Sequence, residues 1–240
     1  MFMSSFDRKA VAGSTTAREV VDQGLRSYML KIYNYMALGL AITGLTAMMV
    51  SSSPQLMAAL FGTPLMWVVM FAPLGVALFL QFRLAHLSAG TAQTMFWIYA
   101  GLMGVSLSSI FIMYTGTSIA RVFFITAATF SGMSLYGYTT KRDLSSFGSF
   151  LFMGLIGVIL ASVVNIFVKS SMMQFIVSIL SVIIFTGLTA YDTQRLKELY
   201  YSGDTYEVGI KKAILGALML YLDFINLFLS LMRLIGDRRE

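Results

Sequence analysis

Hydrophobic residues in this 240-residue chain fall in long uninterrupted runs, not in the alternation of a half-buried strand. Seven runs stand out: 32–50, 65–82, 92–114, 119–138, 147–168, 172–192 and 213–232. Each approaches or exceeds the roughly 20 apolar residues that an α-helix needs to cross a ~30 Å hydrocarbon core. The pattern therefore predicts an all-α membrane protein with seven transmembrane helices. A transmembrane β-barrel is excluded, because its strands alternate apolar and polar residues over about ten positions. The links are short and carry turn residues, as in Ser51-Ser52-Ser53-Pro54 and Thr115-Gly116-Thr117. Longer polar pieces occur only at 1–30, 193–212 and the tail. The expected organisation is an N-terminal cytoplasmic segment, 1–30, followed by one transmembrane domain, 31–240. Within 18–31, Val20, Val21, Leu25, Tyr28 and Met29 recur at near-helical spacing, which predicts a short interfacial helix. No apolar core of a cleavable leader precedes the first span. Small residues four apart, Gly104/Ser108, Gly157/Ala161 and Ala37/Ala41, are candidate close helix crossings.

Composition agrees with the pattern and removes several chemistries. The chain is 58% hydrophobic and 12% charged, against about 45–50% and 25% in globular proteins. It has no cysteine and one histidine, His86, so thiolate metal sites, cysteine nucleophiles and multi-histidine centres are excluded. Trp67 and Trp97 suit interface anchors. The net charge of +6 and pI near 9.5 raise nucleic acid as a partner. The cations nevertheless flank membrane spans, where they set orientation and meet anionic headgroups; the expected partner is the lipid bilayer, with no nucleic acid. Arg8, Lys9, Arg18, Arg26 and Lys31 precede span 1, and Arg83, Lys141, Arg142, Arg195, Lys197, Lys211 and Lys212 lie in or beside links 2–3, 4–5 and 6–7. The alternate links hold Lys169, with Arg121 just inside span 4. That asymmetry places the N-terminus in the cytoplasm. Arg233, Arg238 and Arg239 run against it, so either the chain crosses seven times or its last segment re-enters; seven crossings are favoured.

Ionisable residues inside a span cost about 2.5–3.5 kcal/mol on insertion scales and are functional candidates by default. Of the eleven acids, nine fall in links and ends, leaving Asp192 and Asp223. Asp223 lies near mid-span, with Asn226 and Ser230 on the same helical face. Asp192 precedes Arg195 by three residues, so it sits either at the interface or deeper, if span 6 continues past Arg195. Spans 6 and 7 are consecutive and antiparallel, which lets the two acids approach. Depths counted from the flanking charges leave a gap of ~8–10 Å, whereas sharing a proton requires hydrogen-bond reach. Two carboxylates in one low-dielectric site cannot both ionise cheaply. Such a pair can bind a hard cation or activate water. Among the other polar residues, Asn165 and Ser162 end span 5 beside Lys169, and Gln81 and Arg83 end span 2, from which Arg83 either reaches an acid or snorkels to headgroups.

Three strings carry a resemblance: Ser134-Leu-Tyr-Gly-Tyr-Thr-Thr-Lys-Arg-Asp-Leu-Ser145, Thr189-Ala-Tyr-Asp-Thr-Gln194 and Leu220-Tyr-Leu-Asp-Phe-Ile-Asn-Leu-Phe228. With them the chain resembles the Bax inhibitor-1 family (transmembrane Bax inhibitor motif family), in its bacterial YbhL-like branch. The resemblance implies a seven-helix bundle with a central seventh helix, in a multi-pass protein of the bacterial inner membrane. It also implies a pH-sensitive calcium leak gated by an aspartate pair that maps onto Asp192 and Asp223. A second-helix arginine pairing with the first aspartate maps onto Arg83. Some family channels carry an acid in helix 2, and 65–82 has none.

The leading expectation is thus a leak for calcium, with protons as the second ligand and no resident cofactor or metal. Asn226, Ser230 and Asn165 are candidate pore-lining residues. Calcium takes about six to eight oxygen ligands, more than two aspartates and Asn226 supply, so binding should be weak, as conduction requires. A second reading is a non-transporting regulator that binds a membrane protease. An intramembrane aspartyl protease is a remote third: Tyr191-Asp192 fits, but Leu220-Tyr221-Leu222-Asp223 replaces Gly-x-Gly-Asp, and no proline follows Pro73 to form Pro-Ala-Leu. No enzymatic activity is expected. Retinal-based pumping needs a lysine in the last span, and 213–232 has none.

Overall fold

A computed structural model describes residues 5–239, with side chains from residue 21 onward. Among the described residues nine α-helices follow one another: α1 Ser5–Ser51, α2 Pro54–Phe61, α3 Leu65–Arg83, α4 Ala89–Leu107, α5 Ile110–Met113, α6 Gly116–Thr139, α7 Ser145–Val168, α8 Ser171–Glu198 and α9 Tyr206–Ile235. Seven segments of the described residues are long and apolar enough to cross a membrane, with α4 and α5 forming one of them. Among the described residues there is no strand, only a bridge between Tyr114 and Arg238. The links after α3, α6 and α8 mark one end of the bundle, here the near face. The links after α1, α5 and α7 mark the far face.

Several boundaries differ from the hydropathy pattern. The helix expected over 18–31 leads without a break into the first span as part of α1, although side chains before residue 21 lie outside the described ones. Link 1–2 folds into α2, where Ser53 accepts from Leu56 N and Pro54 supplies a first-turn residue that needs no donor. Span 6 continues helically to Glu198, well past Arg195. The polar links cap the next helix: Ser88, Thr115, Ser170 and Thr205 each accept from a backbone N–H three residues on. Such caps satisfy donors that would otherwise be orphaned at a helix start.

The helices surround α9. Over its most apolar 18 residues 67% are buried, against 44% in α8 and 11% in α7. Helices α1, α4, α6 and α8 pack on α9, whereas α7 packs chiefly on α8. Of the three small-residue pairs, Gly104/Ser108 makes a tight crossing: a Cβ on Gly104 would lie 2.6 Å from Thr43 O. Gly157 faces open space, and Ala37 and Ala41 are exposed. Trp67 is exposed and stacks on Phe71, while Trp97 packs against Tyr35 and Phe96.

Helix α9 runs unbroken for 30 residues, about 45 Å, so the last segment crosses fully and does not re-enter. Its end is clasped on the far face. Thr115 N donates to Asp237 O at 3.1 Å, Arg239 N to Met113 O at 3.0 Å and Asp237 N to Ser118 Oγ at 2.9 Å. Arg121 pairs with the Asp237 carboxylate at 2.9 Å and donates to Ile235 O. The cation that lay just inside span 4 is thereby the tail's partner.

Candidate functional site: a buried carboxyl pair

Helix α8 places Asp192 six residues before its end, and α9 places Asp223 seventeen residues after its start. Counted along the axes, those positions differ by about 16 Å in depth. The register of the hairpin removes most of the difference. Gly216 is so close to α8 that a Cβ there would lie 2.8 Å from Leu196 Cδ2, and Lys212 Nζ reaches Leu199 O at 3.1 Å. Antiparallel packing in that register sets Asp192 opposite Leu220 and Asp223 opposite Thr189, about one helical turn apart. The two carboxyl groups consequently come within hydrogen-bonding reach of each other. The gap expected from sequence depth closes because α8 stays helical beyond Arg195 and glycine lets it settle against α9.

Both acids are buried, at 6% and 5% exposure. Asp192 Oδ1 and Asp223 Oδ2 accept no hydrogen bond from the described residues. Buried polar atoms without partners are rare and call for an explanation. Arg195, one turn beyond Asp192 on α8, has its side chain exposed. Among the described residues, no group of three or more histidine, cysteine or acidic side chains could hold a metal.

The other candidates are distributed elsewhere. Arg83 ends α3 on the near face, exposed and outside the ion pairs found among the described residues. Asn226 Nδ2 donates to Leu222 O, and Ser230 Oγ donates to Asn226 O, so both use their polar groups on the α9 backbone. Asn165 closes α7: its Oδ1 accepts from Ser170 N at 2.9 Å while Lys169 adopts a left-handed φ of 53°. The structure therefore brings Asp192 and Asp223 together and leaves Arg83 and Asn165 at opposite ends of the bundle.

Four residues outside the sequence-derived set tie α1, α6 and the link after α6 to the residues of α8 that follow Asp192. Tyr33 and Ser134 share a hydrogen bond at 2.5 Å, Ser134 and Thr193 another at 3.0 Å, and Thr193 donates to Thr189 O at 2.7 Å. Each hydroxyl has one proton. With Thr193 committed to Thr189, Ser134 must donate to Thr193 and Tyr33 to Ser134. A directed chain thus links α1, α6 and α8 beside Asp192. Gln194 supplies the fourth contact, accepting from Leu144 N at 2.8 Å and donating to Arg142 O at 2.7 Å. Lys197 donates to Tyr138 O. A Cβ on Gly137 would overlap the Ala190 carbonyl, so α6 and α8 touch backbone to backbone. The link between α6 and α7 is fixed to α8 by side chains next to Asp192. In that link Asp143 accepts from Ser145 N, and its hydrogen bonds to Ser145 hold its carboxyl below the usual carboxylate range.

Two distant strings, 134–145 and 189–194, are therefore one packed unit, and the third string carries the acid facing it. A family model described as inhibitor of apoptosis-promoting Bax1 matches residues 25–240. The chain belongs to the Bax inhibitor-1 family. Among similar proteins, the inner membrane protein YbhL of Escherichia coli K12 is 48% identical over 219 residues, covering 90% of this chain and 94% of the relative. An uncharacterized protein of Rickettsia prowazekii is 52% identical over 227 residues, covering 95% and 96%. An uncharacterized membrane protein of Streptococcus pyogenes serotype M3 is 36% identical over 217 residues, covering 90% and 94%. Ser134, Thr193 and Gln194 lie in the strings that carry the resemblance, but nothing in the pattern around Tyr33 marks it as their partner.

Proposed function

We propose that this Bax inhibitor-1 family protein is a pH-sensitive calcium leak of the inner membrane, gated by Asp192 and Asp223, with its N-terminus in the cytoplasm. The observation that carries the reading is the meeting of two buried carboxyl groups on the central hairpin, each with an unpartnered oxygen. The name of the Escherichia coli relative supports the inner membrane. The cation-rich near face supports the orientation.

One proton shared between the acids holds α8 against α9. Losing it leaves two like charges in a low-dielectric site, which repel and favour separation. Protonating both removes the anionic charge that attracts a divalent cation. Flux should therefore be small in acid and rise as the shared proton leaves. Oxygen-rich but incomplete coordination suits a leak, since ions must depart as readily as they enter.

The test is calcium flux into liposomes as a function of pH, for the wild type, Asp192→Asn and Asp223→Asn. Each variant removes the shared titration, so the pH response should vanish in both. Unchanged flux and pH response in both variants would overturn the mechanism. Co-purification of a membrane protease without flux would favour the regulatory role instead. Peptide hydrolysis is not expected, because Leu220-Tyr221-Leu222-Asp223 departs from Gly-x-Gly-Asp.

A further inference from the structure

A cavity of about 530 Å³ opens at the near face between α1 and the start of α9. Along α1 its wall carries Gln23, Arg26, Lys31 and Asn34, with Leu30 among them, and then Tyr35 and Leu38; Ile210 lies one turn into α9, level with Arg26. Along α1 the lining thus passes from cationic and amide groups to apolar ones over fifteen residues, about 22 Å. The volume falls in the usual range for ligand pockets, about 300–1,000 Å³.

Among the described residues the charge around it is one-sided, and no acid lines the cavity. Among the described residues, neither Arg26 nor Lys31 forms an ion pair. The acids on adjoining segments are already engaged: Asp204 holds Lys212 at 2.6 Å and Glu207 holds Lys211 at 3.1 Å. Asp22, one turn before Arg26, is exposed and outside the wall. Lys31 Nζ lies 5.5 Å from the Tyr206 ring centroid, which directs it toward α9 across the cavity.

We propose that this cavity binds one anionic phospholipid, its phosphodiester headgroup on Arg26 and Lys31 and an acyl chain along Tyr35 and Leu38. A soluble anion would use the cations but not the apolar depth, and a zwitterionic lipid would bring its own cation to an already cationic wall. The occupant joins α1 to α9, the helix that carries Asp223. The site stands independently of what the carboxyl pair does.

Native mass spectrometry of the full chain in detergent tests it, with phosphatidylglycerol and phosphatidylcholine offered separately. The wild type should retain one phosphatidylglycerol over phosphatidylcholine by about 30-fold, the product of two cation–headgroup contacts. R26Q/K31Q should lose that preference, and R26K/K31R should keep it, which separates lost charge from lost folding. K141Q, which removes a near-face cation outside the cavity, should bind as the wild type does. Equal retention of the two lipids by the wild type would overturn the proposal, as would loss of preference in K141Q or in R26K/K31R. So would displacement of phosphatidylglycerol by inorganic phosphate at matched concentration, which would indicate a soluble-anion site.

Discussion

Helices α7 and α9 look alike as sequence and lie in opposite environments. Over the most apolar 18 residues, mean hydropathy is 2.5 in α7 and 2.0 in α9, yet 11% of those residues are buried in α7 and 67% in α9. The more apolar helix is the one left to lipid. In water this ordering would be reversed, since burial follows hydrophobicity. In a bilayer the tails are as apolar as leucine, so burial in the protein gains little from apolarity and is decided by close packing and hydrogen bonds. Helix α9 buries Asp223, Ser230 and the Tyr221 hydroxyl, which pairs with Thr43 at 2.6 Å. Helix α7 offers lipid Phe150, Met153, Leu160, Ile166 and Phe167 instead.

Substitutions of matched chemistry on the two kinds of surface should break or sharpen that contrast. The largest effect is expected at Gly137→Ala. Its Cβ meets the Ala190 backbone carbonyl, which cannot rotate away, and should cost about 3 kcal/mol, the upper end for overpacking. The same change at Gly157 on α7 meets nothing within 4 Å and should leave stability unchanged or slightly improved. Unfolding in mixed micelles, followed by circular dichroism, measures both; equal losses would mean that α7 is not the lipid-facing helix.

Next comes Gln194→Ala, which strands Leu144 N and Arg142 O. An unsatisfied buried group costs about 1–3 kcal/mol. Arg142 O is only partly buried, so about 2 kcal/mol overall is expected. Hydrogen exchange should quicken first in the link after α6. Exchange that quickens uniformly along the chain would show that Gln194 does not anchor the link.

The smallest effect belongs to Ser134→Ala, which interrupts the chain from Tyr33 to Thr193 and should cost about 1 kcal/mol. If that chain positions Asp192, the pH midpoint of flux should shift while flux itself persists. A loss of stability with an unmoved midpoint would reduce the chain to packing.

Much of this was legible in the sequence. The seven spans follow from run length alone, because a helix must cover a fixed hydrocarbon thickness. Asp192 and Asp223 follow from elimination, because charge inside a span is costly enough to be rare. The boundaries were less legible: span 6 reads as ending at Asp192, yet α8 continues to Glu198, since a helix needs no apolar residues once it leaves the hydrocarbon. Tyr33 was silent for a related reason, as a tyrosine at the start of an apolar run is indistinguishable from an interface residue until its hydroxyl partner is known.

By itself, then, the sequence determined the compartment, the number of crossings and the two acids that remain inside them. Each of these depends on the solvation of one segment at a time. Only the tertiary structure decided that the acids meet, that Arg83 and Asn165 stand apart from them, and that α9 lies inside while α7 lies outside. Those outcomes depend on helix register and on which glycines admit a neighbouring backbone, as Gly216 does for α8 against α9 and Gly137 for α6 against α8. Such contacts relate residues far apart in the chain, and no property of a single run encodes them.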